Sequence, residues 1–349
     1  MSDSRIEFHV GGYAAPGARG VFQCAFDPQA ERFEVLGGCD ALENPSWVLP
    51  HPERPLLYAV EELPEGRLMA LELVDGRWEK RASLPTKGAD PCHIALTPDG
   101  RHLLVANYTG GSLAVYGLDG DGLPVAMTDF RQHRLDGPTR GNPQRQEAAH
   151  VHFSYCDGSR VYVCDLGMDR VVVYGWDAAN GRLIDTGAAI AFPDGSGPRH
   201  LAFGPKGDRL YVLCELDATL HVFRADGDGW RRMQTLSTVP EDFTGFDRYA
   251  WSAAAAIHFA DAHTLCASTR GHDSVAVFDV DADGMLALRQ IFSTGGSTPR
   301  DFLPCGDWLF AANQQEGRVR AFRRENGRYV PTGAYLDCER PTCLRLAGR

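Results

Sequence analysis

The 349-residue chain is short of three things that would have narrowed its class at once. It has no apolar run near the about 20 residues that a membrane-crossing helix needs. None of its ten cysteines stands in a CxxC pair, so neither a zinc ribbon nor a dithiol redox motif is expected. It has no excess of positive charge: the formal net charge is -11, which argues against nucleic acid or an anionic membrane as partner. The opening residues, MSDSRIEFHV, carry no apolar segment and no cleavage pattern of a secretory signal, so the expected location is the cytoplasm. Cys24, Cys164, Cys214 and Cys266 lie inside apolar runs, where a reduced thiol acts as a small hydrophobe.

What remains is ordinary in composition, with 44% hydrophobic and 23% charged residues, but not in pattern. Six segments repeat a short apolar strand, a polar turn and a second strand. They are NPSWVLPHPERPLLYAVEE (44–62), DPCHIALTPDGRHLLVANY (90–108), AHVHFSYCDGSRVYVCDLG (149–167), GPRHLAFGPKGDRLYVLCELD (197–217), AAAIHFADAHTLCASTRG (254–271) and TPRDFLPCGDWLFAANQQ (298–315). A third strand with period-two alternation follows, as in SLAVYGLD (112–119) and SVAVFDVD (274–281). A tight turn such as Asn180-Gly181 or Asn326-Gly327 then leads to a fourth. Four antiparallel strands in about 50 residues make a propeller blade. The chain ends in what reads as a lone first strand, RPTCLRLAGR (340–349), and begins with what reads as the other three. Joining the two gives a seventh blade and leaves no open sheet edge. The expected fold is therefore an all-β, seven-bladed β-propeller, residues 1–349, forming one domain with very little helix.

In such a blade the entrance of the innermost strand and the exit of the second lie on one face of the ring. Aligned on the Pro or Ala that opens each inner strand, the entrances give Ser46, Cys92, His150, Arg199, Ala255, Arg300 and Thr342. The next positions are Trp47, His93, Val151, His200, Ala256, Asp301 and Cys343. The second-strand exits give Glu62, Tyr108, Leu166, Glu215, Arg270, Gln314 and Tyr13. A repeat predicts similar residues at equivalent positions, yet here imidazole, guanidinium and carboxylate groups replace one another while the strand interiors stay alike. Such convergence at one channel mouth marks a binding or catalytic pocket.

Several stretches carry a further signal: NPQRQEAAHVH (142–152), CDLGMDRVVVY (164–174), GSGPRHLAFGPKGDRLYVLCELD (195–217), STRGHDSVAVF (268–278) and TPRDF (298–302). In these the chain resembles the seven-bladed β-propeller lactonase family, which includes propeller-type 6-phosphogluconolactonases and is related to carboxymuconate cyclase. The resemblance implies a catalytic group of His150, Arg199, Glu215 and Arg270, all four already on the rings above. It departs from the family pattern at Ala256, where an acidic residue is usual, and at Thr269, where an Asn is.

Lactone hydrolysis requires activation of water, stabilisation of an oxyanion and a grip on the substrate. On this reading His150 is the general base, with Glu215 orienting it or serving as base itself. Arg199 and Arg270 hold the oxyanion or an anionic group. Substrate contacts are expected from His93, Tyr108, His200, His272, Arg300 and Gln314. Two polar insertions, 131–147 with Arg145 and Gln146, and 241–249 with Asp242, Phe243 and Tyr249, are placed to border the site. A divalent ion held by some of Glu61, Glu62, Asn107, Glu215 and Asn313 is weighed and set aside, because their blade positions form no set. No metal or other cofactor is implied. The expected activity is hydrolysis of an anionic sugar lactone, 6-phosphogluconolactone first among them. A muconate-type cycloisomerase, a lactonase for unphosphorylated lactones and a non-catalytic binding propeller stand as alternatives. The expected partner is that small molecule alone, with the chain a monomer or weak homo-oligomer.

Overall fold

The computed structural model describes residues 5–135, 137, 141–244 and 253–348. Twenty-eight strands form seven four-stranded antiparallel sheets arranged in a ring, a seven-bladed β-propeller. Among the described residues there is no helix. Each blade's innermost strand borders the central channel: β4 (Val48–Pro50), β8 (Pro91–Leu96), β12 (Val151–Cys156), β16 (Pro198–Phe203), β20 (Ala254–Asp261), β24 (Pro299–Cys305) and β28 (Pro341–Leu346). The closing blade pairs β28 with β1 (Ile6–Gly12), which in turn pairs with β2 (Val21–Asp27) and then β3 (Arg32–Cys39), joining the two ends of the chain as expected.

The second strands of five blades, β5 (Leu56–Glu61), β9 (His102–Asn107), β17 (Arg209–Cys214), β21 (Thr264–Thr269) and β25 (Trp308–Asn313), are buried at all six positions. Third strands such as β10 (Ser112–Leu118) and β22 (Ser274–Val280) are also buried on both faces, rather than alternating as their sequence suggests. The reason is geometric: a blade in a closed ring is sandwiched between two neighbours, so neither face of its middle strands meets water. Exposure is greatest at the outer strands, as in β15 (Arg182–Ala191). The seam of the ring is aromatic. Phe8 stacks on Phe310 at 5.3 Å between centroids, and Phe26 meets Trp308 at 4.7 Å and Phe310 at 5.0 Å.

One hydrogen bond recurs in all seven blades and sets the mouth of the channel. The first residue past the second strand donates its N–H to the carbonyl of the residue that leads into the inner strand: Tyr13 to Arg340, Glu62 to Asn44, Tyr108 to Asp90, Leu166 to His150, Glu215 to Gly197, Arg270 to Ala253 and Gln314 to Thr298, at 2.7–3.1 Å. In five blades the accepting residue is left-handed, with φ of 46° at Asn44, 53° at Asp90, 65° at Gly197, 63° at Thr298 and 41° at Arg340. At Gly197 a Cβ would also meet Leu216 Cγ at 2.7 Å, so glycine is required there twice over.

Phe310→Ala should remove the centre of the aromatic seam and cost about 3–5 kcal/mol, read from the denaturant midpoint. Val125→Ala, at a side chain exposed on an outer strand, should stay within about 0.5 kcal/mol of the parent.

Candidate active site

The recurring bond fixes which residues are equivalent. It confirms the exit ring as Tyr13, Glu62, Tyr108, Leu166, Glu215, Arg270 and Gln314. Two residues into most inner strands, though not β4, the pairing with the second strand breaks. The register shifts between Pro91 and His93, Val151 and Phe153, Pro198 and His200, Ala254 and Ile257, and Pro299 and Asp301. A bulge at this point re-aims the extra side chain. The entrance ring is thus Ser46, Cys92, His152, Arg199, Ala255, Arg300 and Thr342.

This corrects the ring position expected for His150. His150 lies two residues earlier, in the lead-in segment equivalent to Gly197, and His152 takes the ring position. In the next ring Phe153 replaces the expected Val151. The third repeat lacks the proline that opens the inner strand in its neighbours, and Val151 occupies that place, so alignment on Ala149 slips by two residues.

At the mouth of the channel stands Glu215, 1% exposed. Its Oε2 lies 2.8 Å from Arg199 Nε and 3.0 Å from Arg270 Nη2, and its Oε1 lies 2.7 Å from Arg145 Nη2. Burial alone would raise the carboxyl pKa, but Arg270, Arg145 and Arg199 together hold it well below the usual carboxylate range. Burial in turn pulls Arg270 down to about 9, against the pull of Glu215 and with the repulsion of Arg199, Arg300 and Arg145. Arg199 is braced by His200 Nε2 at 3.1 Å and by the Ala255 carbonyl. Arg270 donates to the carbonyls of Ala253, at 3.4 Å, and Ala254, at 3.2 Å. Arg145 comes from the insertion between two blades and also donates to the Tyr108 hydroxyl at 2.9 Å.

Glu215 does not orient His150. His150 stacks on Tyr108 at 4.6 Å, with Nδ1 3.1 Å from the Tyr108 carbonyl and Nε2 3.0 Å from Glu147 Oε1. Asp165, wholly buried, fixes the same segment by accepting the His150 N–H at 2.9 Å and His133 Nδ1 at 2.7 Å. A second station faces the Glu215 group. Arg300 lies 5.2 Å above the Tyr13 ring and 3.4 Å from Gln314 Oε1, and Tyr13 donates to Glu62 Oε1 at 2.6 Å. Among the described residues no carboxylate is in ion-pair contact with Arg300.

Deeper in the channel, His93 packs between Trp47 at 4.4 Å and Phe153 at 4.1 Å, and His200 lies 4.9 Å from Phe153. Both are packed beneath the arginines. His272 is not brought to the cluster: its ring meets Phe243 edge-on at 4.6 Å and its Nδ1 bonds Ser274 Oγ at 2.7 Å. Tyr249 lies outside the described residues. Ala256 is buried, with its N–H on Ser268 Oγ, and the acidic group at that level of the channel is Asp301 of the next blade, bound to His258 and Arg345.

The residues weighed for a metal have other commitments. Glu61 accepts the Glu43 N–H, Asn107 bonds Ser112, and Asn313 bonds Glu316. Among the described residues no group of three or more His, Cys, Asp or Glu side chains is gathered for a cation. The ten cysteines are unpaired. Among the described residues no helix is long and apolar enough to cross a membrane.

A closed propeller with guanidinium groups pinned by a buried carboxylate at one mouth of its channel defines a class of small-molecule site, one suited to an anionic or carbonyl-bearing ligand. The family model "Lactonase, 7-bladed beta-propeller" matches residues 7–346, and the chain belongs to this family of lactone-hydrolysing enzymes. It is 29% identical to a 6-phosphogluconolactonase of Bacillus subtilis, over 97% of each chain. It superimposes on the periplasmic gluconolactonase PpgL of Pseudomonas aeruginosa with a TM-score of 0.89 at 29% identity, covering 99% of both chains. It also superimposes on a candidate 6-phosphogluconolactonase of Bacteroides fragilis with a TM-score of 0.88 at 27% identity, again over 99% of both.

The channel histidines make stability acid-sensitive. Burial first, and then nearby guanidinium charge, holds the pKa values of His93, His152 and His200 well below the ordinary value. Below pH about 6.5 the unfolded chain binds protons that the folded chain refuses, so stability falls with acidification by up to about 1.4 kcal/mol per pH unit for each group. Denaturant midpoints between pH 8 and pH 5 should show little slope from these groups above pH about 7.5 and a steep fall below about 6.5.

Proposed function

We propose that the enzyme opens an anionic sugar lactone, with 6-phosphogluconolactone as substrate. The observation that carries this reading is the surplus of positive charge at the mouth. Arg145, Arg199, Arg270 and Arg300 converge there, and three of them share the single carboxylate of Glu215. In the low dielectric of a largely buried cleft, such a surplus favours anionic ligands and a developing oxyanion far more than it would in water.

Arg199 and Arg270 are the proposed oxyanion donors. Glu215 sets their spacing, and, held ionised so far below neutrality, it is a poor proton acceptor at physiological pH. Activation of water then falls to an imidazole, and His150 and His152 both belong to this mouth. Arg300, with Tyr13 and Gln314, stands apart from the Glu215 group and suits the distal anionic group, where a guanidinium can grip phosphate with paired donors.

The Bacillus relative's substrate supports the phosphorylated lactone. The Pseudomonas relative, a gluconolactonase, favours a second reading in which an unphosphorylated aldonolactone is the substrate. Purified protein should speed loss of 6-phosphogluconolactone above its spontaneous hydrolysis. Arg300→Gln should raise KM for that substrate by about tenfold more than KM for gluconolactone, since a charge-assisted bond contributes about 1.5–3 kcal/mol. Equal effects on both, or turnover of gluconolactone alone, would favour the second reading.

A further inference from the structure

We propose that His152, and not His150, is the general base that activates water in this site. The inference rests on the hydrolysis of a lactone, whichever lactone it is. His152 occupies the bulge position equivalent to Arg199 and Arg300 in their blades, so its side chain projects among the groups that would hold the substrate. Arg199, Glu215, Arg300 and Arg270 all lie within electrostatic reach of its ring. The ring of Tyr108 is 5.5 Å away and that of His200 5.2 Å away.

The two histidines differ in what their nitrogens face. At His150 both nitrogens are already engaged, Nδ1 with the Tyr108 carbonyl at 3.1 Å and Nε2 with Glu147 Oε1 at 3.0 Å, so neither is open to a water. At His152 the arrangement is the reverse. Cys92 directs its S–H at the His152 carbonyl, 3.4 Å away, so the sulfur lone pairs are free to accept from Nδ1 at 3.9 Å. That contact suits the tautomer with its proton on Nδ1 and its lone pair on Nε2, for which no partner is present among the described residues. Burial, reinforced by Arg199, keeps the ring neutral at physiological pH.

The step balances without a further reactant. Nε2 takes a proton from water as the water oxygen bonds to the lactone carbonyl carbon. The carbonyl electron pair moves to oxygen as an oxyanion facing Arg199 and Arg270. The oxyanion collapses, the ring C–O bond breaks, and the Nε2 proton passes to the departing alkoxide. The products are a hydroxyl and a carboxylic acid, which loses its proton to solvent.

The test uses the full-length protein and 6-phosphogluconolactone or gluconolactone, whichever the wild type turns over. His152→Gln should lower kcat at least about 100-fold with KM within about threefold, whereas His150→Gln should lower kcat by less than about tenfold. A His152→Gln protein that melts like the parent yet keeps kcat within about tenfold would overturn the proposal, as would a His150→Gln loss equal to that of His152→Gln. If His152→Gln fails to fold, the wild-type pH profile decides. A kcat/KM that stays flat from pH 8 down to about 6 supports a base of depressed pKa, and a limb between pH about 6 and 7.5 overturns it. Absence of wild-type turnover on either lactone would overturn the hydrolytic reading and this assignment with it.

Discussion

Glu215 is a carboxylate with almost no access to water, and three guanidinium groups neutralise it from three separate parts of the chain. Arg199 comes from the inner strand of its own blade, Arg270 from the second-strand exit of the next, and Arg145 from the insertion that leads into β12, ahead of the preceding blade. An isolated buried charge would be prohibitively expensive, and so would each arginine without its partner. The cluster therefore ties two adjacent blades and a linking segment together at one point. The orientation of Tyr108 follows from Arg145, that of His200 from Arg199, and the stacking of His150 from Tyr108. A change in the central carboxylate would be felt across the whole mouth.

The ring that carries this cluster is held by something less specific. Seven equivalent backbone hydrogen bonds join second-strand exits to inner-strand entrances, and apolar second strands are sandwiched between blades. This scaffold asks only for backbone groups and apolar side chains, so the residues projecting from the bulges are free to vary. The molecule uses that freedom unevenly. Ala255, Ser46 and Thr342 are small and bring no charge, while Arg199, His152 and Arg300 bring the chemistry. The two arginine stations lie apart, Arg199 and Arg270 on Glu215 and Arg300 beside Tyr13 and Gln314.

How much of this was legible depended on what kind of signal each residue carried. The exit ring could be read because the strands that precede it share a strong apolar pattern and a turn at fixed spacing. Arg199 and Arg300 could be read because a proline marks the start of their strands. His152 was misplaced because its repeat has Val151 where its neighbours have proline, and a bulge of one residue is invisible in a pattern of period two. Arg145 was recognised only as part of a long polar insertion, since nothing local says where such a segment lies. The pairing of Tyr13 with Glu62 crosses from one blade to the next and has no sequence signature.

By itself the sequence determined the repeat, the number of blades and the closure of the ring, because strand length, turn chemistry and apolar spacing are local properties of the chain. It also determined that Arg199, Glu215 and Arg270 stand at one mouth of the channel. Only the tertiary structure decided which of two histidines stands among the arginines, which nitrogens are already occupied, and that Glu215 binds three cations rather than serving an imidazole. Those outcomes depend on contacts between residues up to 70 positions apart and on the removal of water from around them, and neither is encoded in local spacing.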